Sequence, residues 1–432
     1  MDKINVGLIG LGTVGSGVAK MLLSRREFLA RRAGIPLVLK KVCVRRRNRA
    51  RWVRVDSRLL TTNPKDILND PEIDVVVELI GGAHPAKEIV LQAIKNGKQV
   101  VTANKALLAH HGAEIFAAAA KAGVDIYFEA SVAAGIPIIK SLREGLIGND
   151  IEELYGILNG TTNFILTEMS GRDGRSFKSA LKEAQGRGYA ERNPSLDLKG
   201  IDTAHKLAVL ALLGFGKRVL PEQIYVEGIQ DITVNDVRYA HDFGYTIKLL
   251  GIAKRDGDEL EVRVHPTLLP NNHLLSEVDG VHNAVLVKGD LIGELVLYGQ
   301  GAGRFPTTSA VLSDLVDVAR NLKYQSTLRV PPPLPVKRIR RVRPIGEIEG
   351  RYYFRFSCID RPGVLSRISR VLGKHRISIA NVVQKDRRRE HIVPVIMTTH
   401  DAREKDVQEA LAEIDRLSII RRKSVSLRME RA

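Results

Sequence analysis

The opening of the chain constrains its fold most. Lys3 to Ile9 alternates apolar residues at Ile4, Val6 and Leu8, and Gly10-Leu11-Gly12-Thr13-Val14-Gly15 follows at once. Val14, Val18, Met21 and Leu22 then recur at helical spacing. The order strand, glycine turn, helix is what a dinucleotide-binding βα unit requires. Gly10 permits the tight turn, Gly12 lets backbone amides approach a pyrophosphate, and Gly15 allows helix and strand to pack closely. The phosphates then sit at the positive end of the helix, with Thr13 and Val14 as further candidate contacts.

A second strand, Leu37 to Val44, runs into Arg45-Arg46-Arg47 rather than into an acidic residue. An acid there grips a free ribose hydroxyl, whereas an arginine suits a ribose phosphate through charge-assisted bonds, so Arg45 points to NADP over NAD. Arg49, Arg51 and Arg54 extend the run as a basic loop. Three more strands are expected at Asp74 to Ile80, Lys98 to Thr102 and Val124 to Glu129. Together they predict an α/β, Rossmann-like doubly wound parallel sheet. The turns Gly81-Gly82, Thr102-Ala103-Asn104-Lys105 and Glu129-Ala130-Ser131 should surround the nicotinamide. Lys105, just past a strand end, is a candidate functional lysine.

The second informative stretch is Gly188 to Lys206. After the Asn193-Pro194 and Gly200 breakers, Ile201 to Leu213 reads as a helix, which places Asp202 and Lys206 on one face at i,i+4 spacing. Glu191 and Asp197 lie in the preceding loop. An ammonium beside carboxylates can hand a proton to a developing alkoxide while the acids grip a cationic substrate group. The plain alternative is a surface ion pair worth about 0.3–0.5 kcal/mol.

Ala184, Gly188, Tyr189, Asn193, Pro194, Asp197, Leu198, Gly200, Asp202 and Lys206 together resemble the signature of the homoserine dehydrogenases, and the likeness runs through nearly the whole chain. The resemblance implies reversible NAD(P)-dependent reduction of L-aspartate 4-semialdehyde to L-homoserine, serving threonine, isoleucine and methionine biosynthesis. It implies Lys206 as proton donor, Glu191, Asp197 and Asp202 as substrate ligands, and Lys105 as a cofactor and substrate contact. Gly188, Gly301 and Gly303 become further cofactor contacts. Reduction of an aldehyde leaves charge on oxygen, and a lysine with pKa about 10.4 is protonated near neutrality to quench it. Oxidation to an acyl phosphate needs a cysteine nucleophile, and neither Cys43 nor Cys358 lies in the central segment.

The stretch Glu129 to Pro137 resembles the family's sodium loop, in which main-chain carbonyls at Glu129, Val132, Ala134 and Ile136 would hold the ion, carbonyl oxygens being suited to a hard cation. Ala134 stands where many members carry glycine. A strand-to-helix connector without an ion remains the alternative.

Expected domains are 1–134, completed by 304–328 with a helix from Ser309 to Leu322; a central α+β domain at 135–303; a proline-rich linker at 329–349; and a module at 350–428. In the central domain a second helix is expected near Asp236 to Ala253, with strands at Leu260 to His265, Ala284 to Lys288 and Gly293 to Tyr298. The family forms dimers through such a sheet, so a homodimer or higher homo-oligomer is expected. The run Pro331-Pro332-Pro333 reads as a stiff spacer before a separate module. That module reads βαββαβ: strands at Arg351 to Ile359, Ile377 to Val383, His391 to Met397 and Leu417 to Leu427, with helices reaching Lys374 and spanning Asp401 to Ile414. It resembles the ACT regulatory, ferredoxin-like domain through Asp360-Arg361-Pro362-Gly363 and Ile379-Ala380-Asn381. An amino-acid effector, threonine, is therefore expected at Asp360, Gly363, Val364 and Asn381. A dimerisation module without an effector is the alternative.

The 432 residues, 44% hydrophobic, suffice for two or three cores. No apolar run is long enough to cross a bilayer, and the first strand leaves no room for a signal peptide, so a cytoplasmic location is expected. Two distant cysteines suggest free thiols. His110-His111 reads as a solvated helix end rather than a metal site. With the glycine turn at residue 10, a monofunctional form rather than a kinase fusion is expected. The net charge of +18 raises a nucleic-acid-binding protein on a dehydrogenase frame as a rival reading, based on Arg45 to Arg58, Lys337 to Arg343, Arg387 to Arg389 and Arg421-Arg422-Lys423. Aromatic content of 5% leaves those clusters without stacking partners, so no nucleic acid is expected. An inactive regulatory subunit is opposed by the presence of Lys206 and Asp202.

Overall fold

A computed structural model describes residues 1–47, 52–171, 174–335, 338–384 and 392–431. The expectations on Arg49, Arg51, Lys337, Arg387 to Arg389 and His391 fall outside these residues. Two compact units emerge. One joins Met1–Leu154, His205–Gln223 and Asn283–Arg340; the other joins Tyr155–Ala204, Ile224–His282 and Arg341–Ala432.

The first unit is built on a six-stranded sheet whose order is Leu60–Thr61, Leu37–Cys43, Ile4–Ile9, Val75–Glu78, Gln99–Thr102 and Ile126–Tyr127. All pairings are parallel. Ile9 lies beside both Cys43 and Glu78, and Glu78 beside Thr102, so the strands end along one edge. The chain leaves the first strand toward either side of the sheet, which makes that edge a switch point of the kind that holds ligands. Ile4, Val6, Leu8, Val75 and Val77 pack against Val18, Leu22, Val311 and Leu315, so the helix Arg304–Lys323 from late in the chain covers the same sheet as the helix Thr13–Ser24. Gly17 allows that approach, because a Cβ there would sit 2.2 Å from Thr308 Oγ1. The late helix starts five residues before the expected Ser309, with Pro306 tolerated in its first turn.

In the second unit, Tyr245–Asp256 and Glu259–Pro270 form a hairpin paired from Asp256↔Glu259 to Tyr245↔Pro270. Glu349–Ile359, Val364–Lys374, Ile379–Val383, Ile392–Thr399, Glu404–Ile414 and Ile420–Met429 give the expected βαββαβ order. Tyr352, Phe354, Phe356, Val395 and Met397 bury one face of that sheet against Ile368, Leu372, Val407 and Ile414 of the two helices. Its last strand also joins the hairpin: Thr267 pairs with Arg428 and Leu268 with Met429, in parallel. The module is thus not held by the proline spacer alone.

One element differs in kind. The helix expected over Asp236 to Ala253 stops at Asp242, Gly244 turns the chain at φ +79°, and Tyr245 opens a strand. Ile247 to Ala253 are buried on both faces, so no alternation betrays the strand, and a short apolar run of this kind reads equally well as a buried helix.

Candidate active site

At the opening turn the three glycines divide their labour as the sequence implies. Gly10 has φ +104°, and a Cβ on it would lie 2.6 Å from Leu79 O; on Gly15 it would lie 2.0 Å from Gly10 O. Nothing lies within 4 Å of such an atom on Gly12. Gly12 is also the N-cap of the helix Thr13–Ser24 and supplies no side-chain cap. An open approach to an uncapped helix start is the cradle a pyrophosphate needs, so these residues fit a dinucleotide. Thr13 and Val14 open that helix. Arg45 is exposed just beyond the second strand, and Arg47 donates to Leu60 O at 2.8 Å. Trp52, in the loop beyond them, lies between the Lys20 ammonium at 4.2 Å and the Arg304 guanidinium at 4.3 Å.

The neighbouring turns are tied together by side chains that the sequence reading overlooked. Buried Glu78 accepts from Ile80 N–H at 2.8 Å and from Thr102 Oγ1 at 2.7 Å. Thr102 Oγ1 accepts in turn from Asn104 N–H, and Asn104 Nδ2 donates to Gly82 O at 2.7 Å. Asn104 also caps the helix Lys105–Ala122 by accepting from Leu107 N–H. Lys105 is the first residue of that helix and half-buried. His110 and His111 lie inside it rather than at a solvated end, with His110 at 5.3 Å from the His205 ring and 3.4 Å from a Glu222 oxygen. The stretch from His205 onward belongs to the nucleotide-binding unit, so Lys206 rides on the same unit as Lys105 and the glycine turn.

Glu129 faces inward. Its carboxylate accepts from Ile139 N–H at 2.9 Å and Lys140 N–H at 2.8 Å, and its own N–H donates to Asp314 at 2.9 Å. Burial pushes Glu129 up to about 7 and Asp314 well above the usual carboxylate range. Val132, Ala134 and Ile136 are buried beyond it, and Ala133 and Ala134 both have positive φ, 50° and 27°. Glycine would hold that conformation without strain. Gly301 has a packing role: a Cβ there would lie 2.0 Å from the Asn283 side chain, whose amide atoms are buried without hydrogen-bond partners among the described residues. Gly303, at φ +113°, precedes the helix Arg304–Lys323.

In the second unit the helix Gly160–Ser170 begins at Asn159, whose Oδ1 accepts from Thr162 N–H. Its Nδ2 is left to donate to both Asp197, at 2.7 Å, and Asp202, at 2.9 Å. One amide thus binds two acids that are five positions apart in sequence. Asp202 is buried and opens the helix Ile201–Phe215, which carries Lys206, also buried, one turn later. Glu191 is exposed, anchored through its carbonyl by Gln185 Nε2 at 3.3 Å, and its carboxylate does not join the Asn159 cluster. Gly188, at φ +75°, starts the turn Gly188–Ala190, which Thr161 holds by donating to Tyr189 O at 2.7 Å. Asn159 was missed in sequence, although an Asn-Gly pair after a strand and before Thr-Thr is a recognisable helix cap.

In the C-terminal module Asp360 and Gly363 are exposed on the turn, Gly363 with φ +86°. Val364 sends its side chain into the core, and Asn381 donates to Thr398 Oγ1 at 3.0 Å. Asn381, Thr398, Thr399, His400, Arg351 and Tyr245 are among the residues lining a cavity of about 290 Å³. The arginines of the rival nucleic-acid reading are partly consumed inside the fold: Arg343 pairs with Asp256, Glu259 and Glu261, and Arg341 with Glu259 and Glu347. Among the described residues no helix is long and apolar enough to cross a membrane. Cys43 and Cys358 are both free and buried.

Comparison with known proteins agrees with this geometry. Residues 137–316 match the family model described as homoserine dehydrogenase, residues 10–129 its NAD binding domain, and residues 352–418 the ACT domain. The chain is 45% identical over 435 residues to a homoserine dehydrogenase of Pseudomonas aeruginosa, covering 100% of this chain and 99% of the relative. It is 43% identical over 434 residues to that of Neisseria gonorrhoeae, with the same coverage. The crystal structure of a homoserine dehydrogenase from Thiobacillus denitrificans superposes with a TM-score of 0.92 at 49% identity, covering 99% of this chain and 98% of that one. A hyperthermophilic archaeal homoserine dehydrogenase in complex with NADPH aligns at 26% identity with a TM-score of 0.63, covering 74% of this chain and 98% of that one.

Proposed function

The chain belongs to the homoserine dehydrogenase family, and from that premise we propose that it interconverts L-homoserine and L-aspartate 4-semialdehyde, with NADP preferred to NAD. The nicotinamide, when bound, supplies or accepts the hydride. Gly10, Gly12, Thr13, Val14 and Gly15 hold the pyrophosphate against the helix start, Arg45 meets the ribose phosphate, and Lys105, Gly188, Gly301 and Gly303 line the remainder. The NADPH carried by the archaeal relative favours the same preference.

Lys206 gives its proton to the substrate oxygen as the aldehyde is reduced and takes it back in oxidation. Asp202, one turn earlier on the same helix, takes up the substrate ammonium together with Asp197 and the exposed Glu191. The observation that carries this reading is the Asn159 amide, which donates to both Asp197 and Asp202 and so holds the two acids together. Two like charges are worth holding side by side where a cation is to be bound.

The carbonyls of Glu129, Val132, Ala134 and Ile136 hold a sodium ion, a reading supported by the left-handed turn at Ala133 and Ala134 that bends this main chain. Threonine, as end product, binds the ACT module through Asp360, Gly363, Val364 and Asn381 and lowers turnover; the cavity beside Asn381 supports an amino-acid-sized ligand. The protein acts as a homodimer in the cytoplasm, serving threonine, isoleucine and methionine synthesis. The strand Gly293–Gln300, none of whose residues is buried and whose Tyr298 is 57% exposed, offers a surface for a second copy. Steady-state homoserine oxidation with NADP and with NAD, each with and without threonine, tests the reading. We expect turnover with NADP, a higher KM for NAD and inhibition by threonine. Absence of homoserine oxidation with either cofactor contradicts it.

A further inference from the structure

We propose that Arg428, in the last strand of the C-terminal module, is a positioning residue for the substrate acids Asp197 and Asp202, acting through Glu227. This rests on the reading of those acids given above. Arg428 is buried, and its guanidinium is divided between two carboxylates. Nε and Nη2 donate to Glu404 at 2.8 and 2.6 Å; Nη1 and Nη2 donate to Glu227 at 2.7 and 3.3 Å. Tyr225 lies under the guanidinium at 4.9 Å, and its hydroxyl both accepts from Nη2 at 3.0 Å and donates to Glu227. Glu404 is fixed from behind by Tyr352 at 2.8 Å and Gln408 at 2.7 Å. Paired, bidentate contacts set direction as well as distance, so Glu227 has little freedom to move relative to the module.

Glu227 in turn supports the loop that bears the acids. Its N–H donates to Val264 O at 2.8 Å, which anchors it at the end of the short strand Tyr225–Val226. At Gly228 the backbone touches that loop so closely that a Cβ would fall 2.2 Å from Leu198 O and 2.8 Å from Lys199 Cα. Ile229 N–H donates to Leu198 O at 2.9 Å. Gly200, at φ +79°, faces the same segment, its Cβ position lying 3.3 Å from Glu227 O. Leu198 follows Asp197, and Gly200 leads into the helix Ile201–Phe215, whose second residue is Asp202. The loop between the two acids therefore rests on Glu227 to Ile229, and Asn159 bonds the acids at both of its ends.

A buried ion pair adds little net stability over an apolar replacement, so its value here is geometric. The same module makes a second contact: Tyr353 and Arg355 donate to Asp236 at 3.0 and 2.6 Å. Asp236 sits in the capping box of the helix Val234–Asp242 and touches no part of the acid loop among the described contacts, so this contact is a natural control.

The test is steady-state homoserine oxidation by the full chain, with homoserine varied at saturating NADP and NADP varied at saturating homoserine. Glu227→Gln and Arg428→Lys should raise KM for homoserine about tenfold, with KM for NADP within about twofold of its original value. Tyr353→Phe should lower the melting temperature and leave both KM values in place. A Glu227→Gln protein that melts earlier but keeps its homoserine KM overturns the proposal in favour of a purely structural role. If Glu227→Gln does not fold, Tyr225→Phe removes one donor to that carboxylate and should raise the homoserine KM about threefold; an unmoved KM overturns the proposal equally. Failure of the unsubstituted protein to oxidise homoserine overturns the functional reading and this one with it. Turnover with unmoved KM values overturns this one alone.

Discussion

The glycine turn at residues 10–15 and the junction around Arg428 fix their surroundings by opposite means. At the turn the work is steric: Gly10 and Gly15 are where a Cβ would strike main chain, and Gly12 is where nothing stands in the way. At the junction the work is ionic. Arg428 is hydrogen-bonded to Glu404 and Glu227, and Glu430 to Arg263 and Lys254, with neutral His265 accepting from Arg263. Steric demands within six consecutive residues leave a pattern in the sequence. A charge network whose partners stand up to 201 positions apart leaves none.

The contrast predicts different costs when each is broken. Glu404→Ala removes one of the two acids that face Arg428 and should lower stability by about 3–5 kcal/mol in urea denaturation, because a buried charge is left under-paired. A loss below about 1 kcal/mol would mean that the network is solvated. Gly15→Ala should cost about 1–3 kcal/mol by overpacking. Gly12→Ala should stay within about 1 kcal/mol while weakening NADP binding. Equal stability loss at the two glycines would erase the division of roles, and melting curves with and without NADP decide it.

The smallest effect is a pH slope. His265 is buried and held neutral, its pKa well below the ordinary value, first by desolvation and then by the positive charges of Arg428, Arg263 and Lys254. It accepts from Arg263 Nε at 3.1 Å through Nε2, and Thr267 lies at 2.9 Å from Nδ1. Unfolded, the same ring takes up a proton below pH about 6.5. The unfolded chain then binds more protons, so the stability contributed by His265 is present above that pH and is lost as pH falls below it, at about 1.4 kcal/mol per unit. His265→Gln should flatten the limb between the unfolded histidine pKa and the carboxylate range. An unchanged slope there would show that the ring is protonated in the fold.

The same distinction explains what was legible beforehand. The parallel sheet, the turns at its strand ends, the helix carrying Asp202 and Lys206, and the βαββαβ module all follow from local periodicity and glycine placement. The strand Tyr245–Asp256 was read as helix because it is buried on both faces. Asn159 lay outside the reading because its role comes from a contact with residues 38 and 43 positions away. Glu78 and Arg428 were hidden for the same reason. Glu191 stands exposed, and it is Asn159 that bonds Asp197 and Asp202.

The most direct test of the account is the turnover of Lys206→Ala in homoserine oxidation at saturating NADP. The account predicts a kcat lower by about two orders of magnitude or more, with NADP binding and the melting temperature nearly unchanged. A folded variant that retains kcat within about threefold would contradict it.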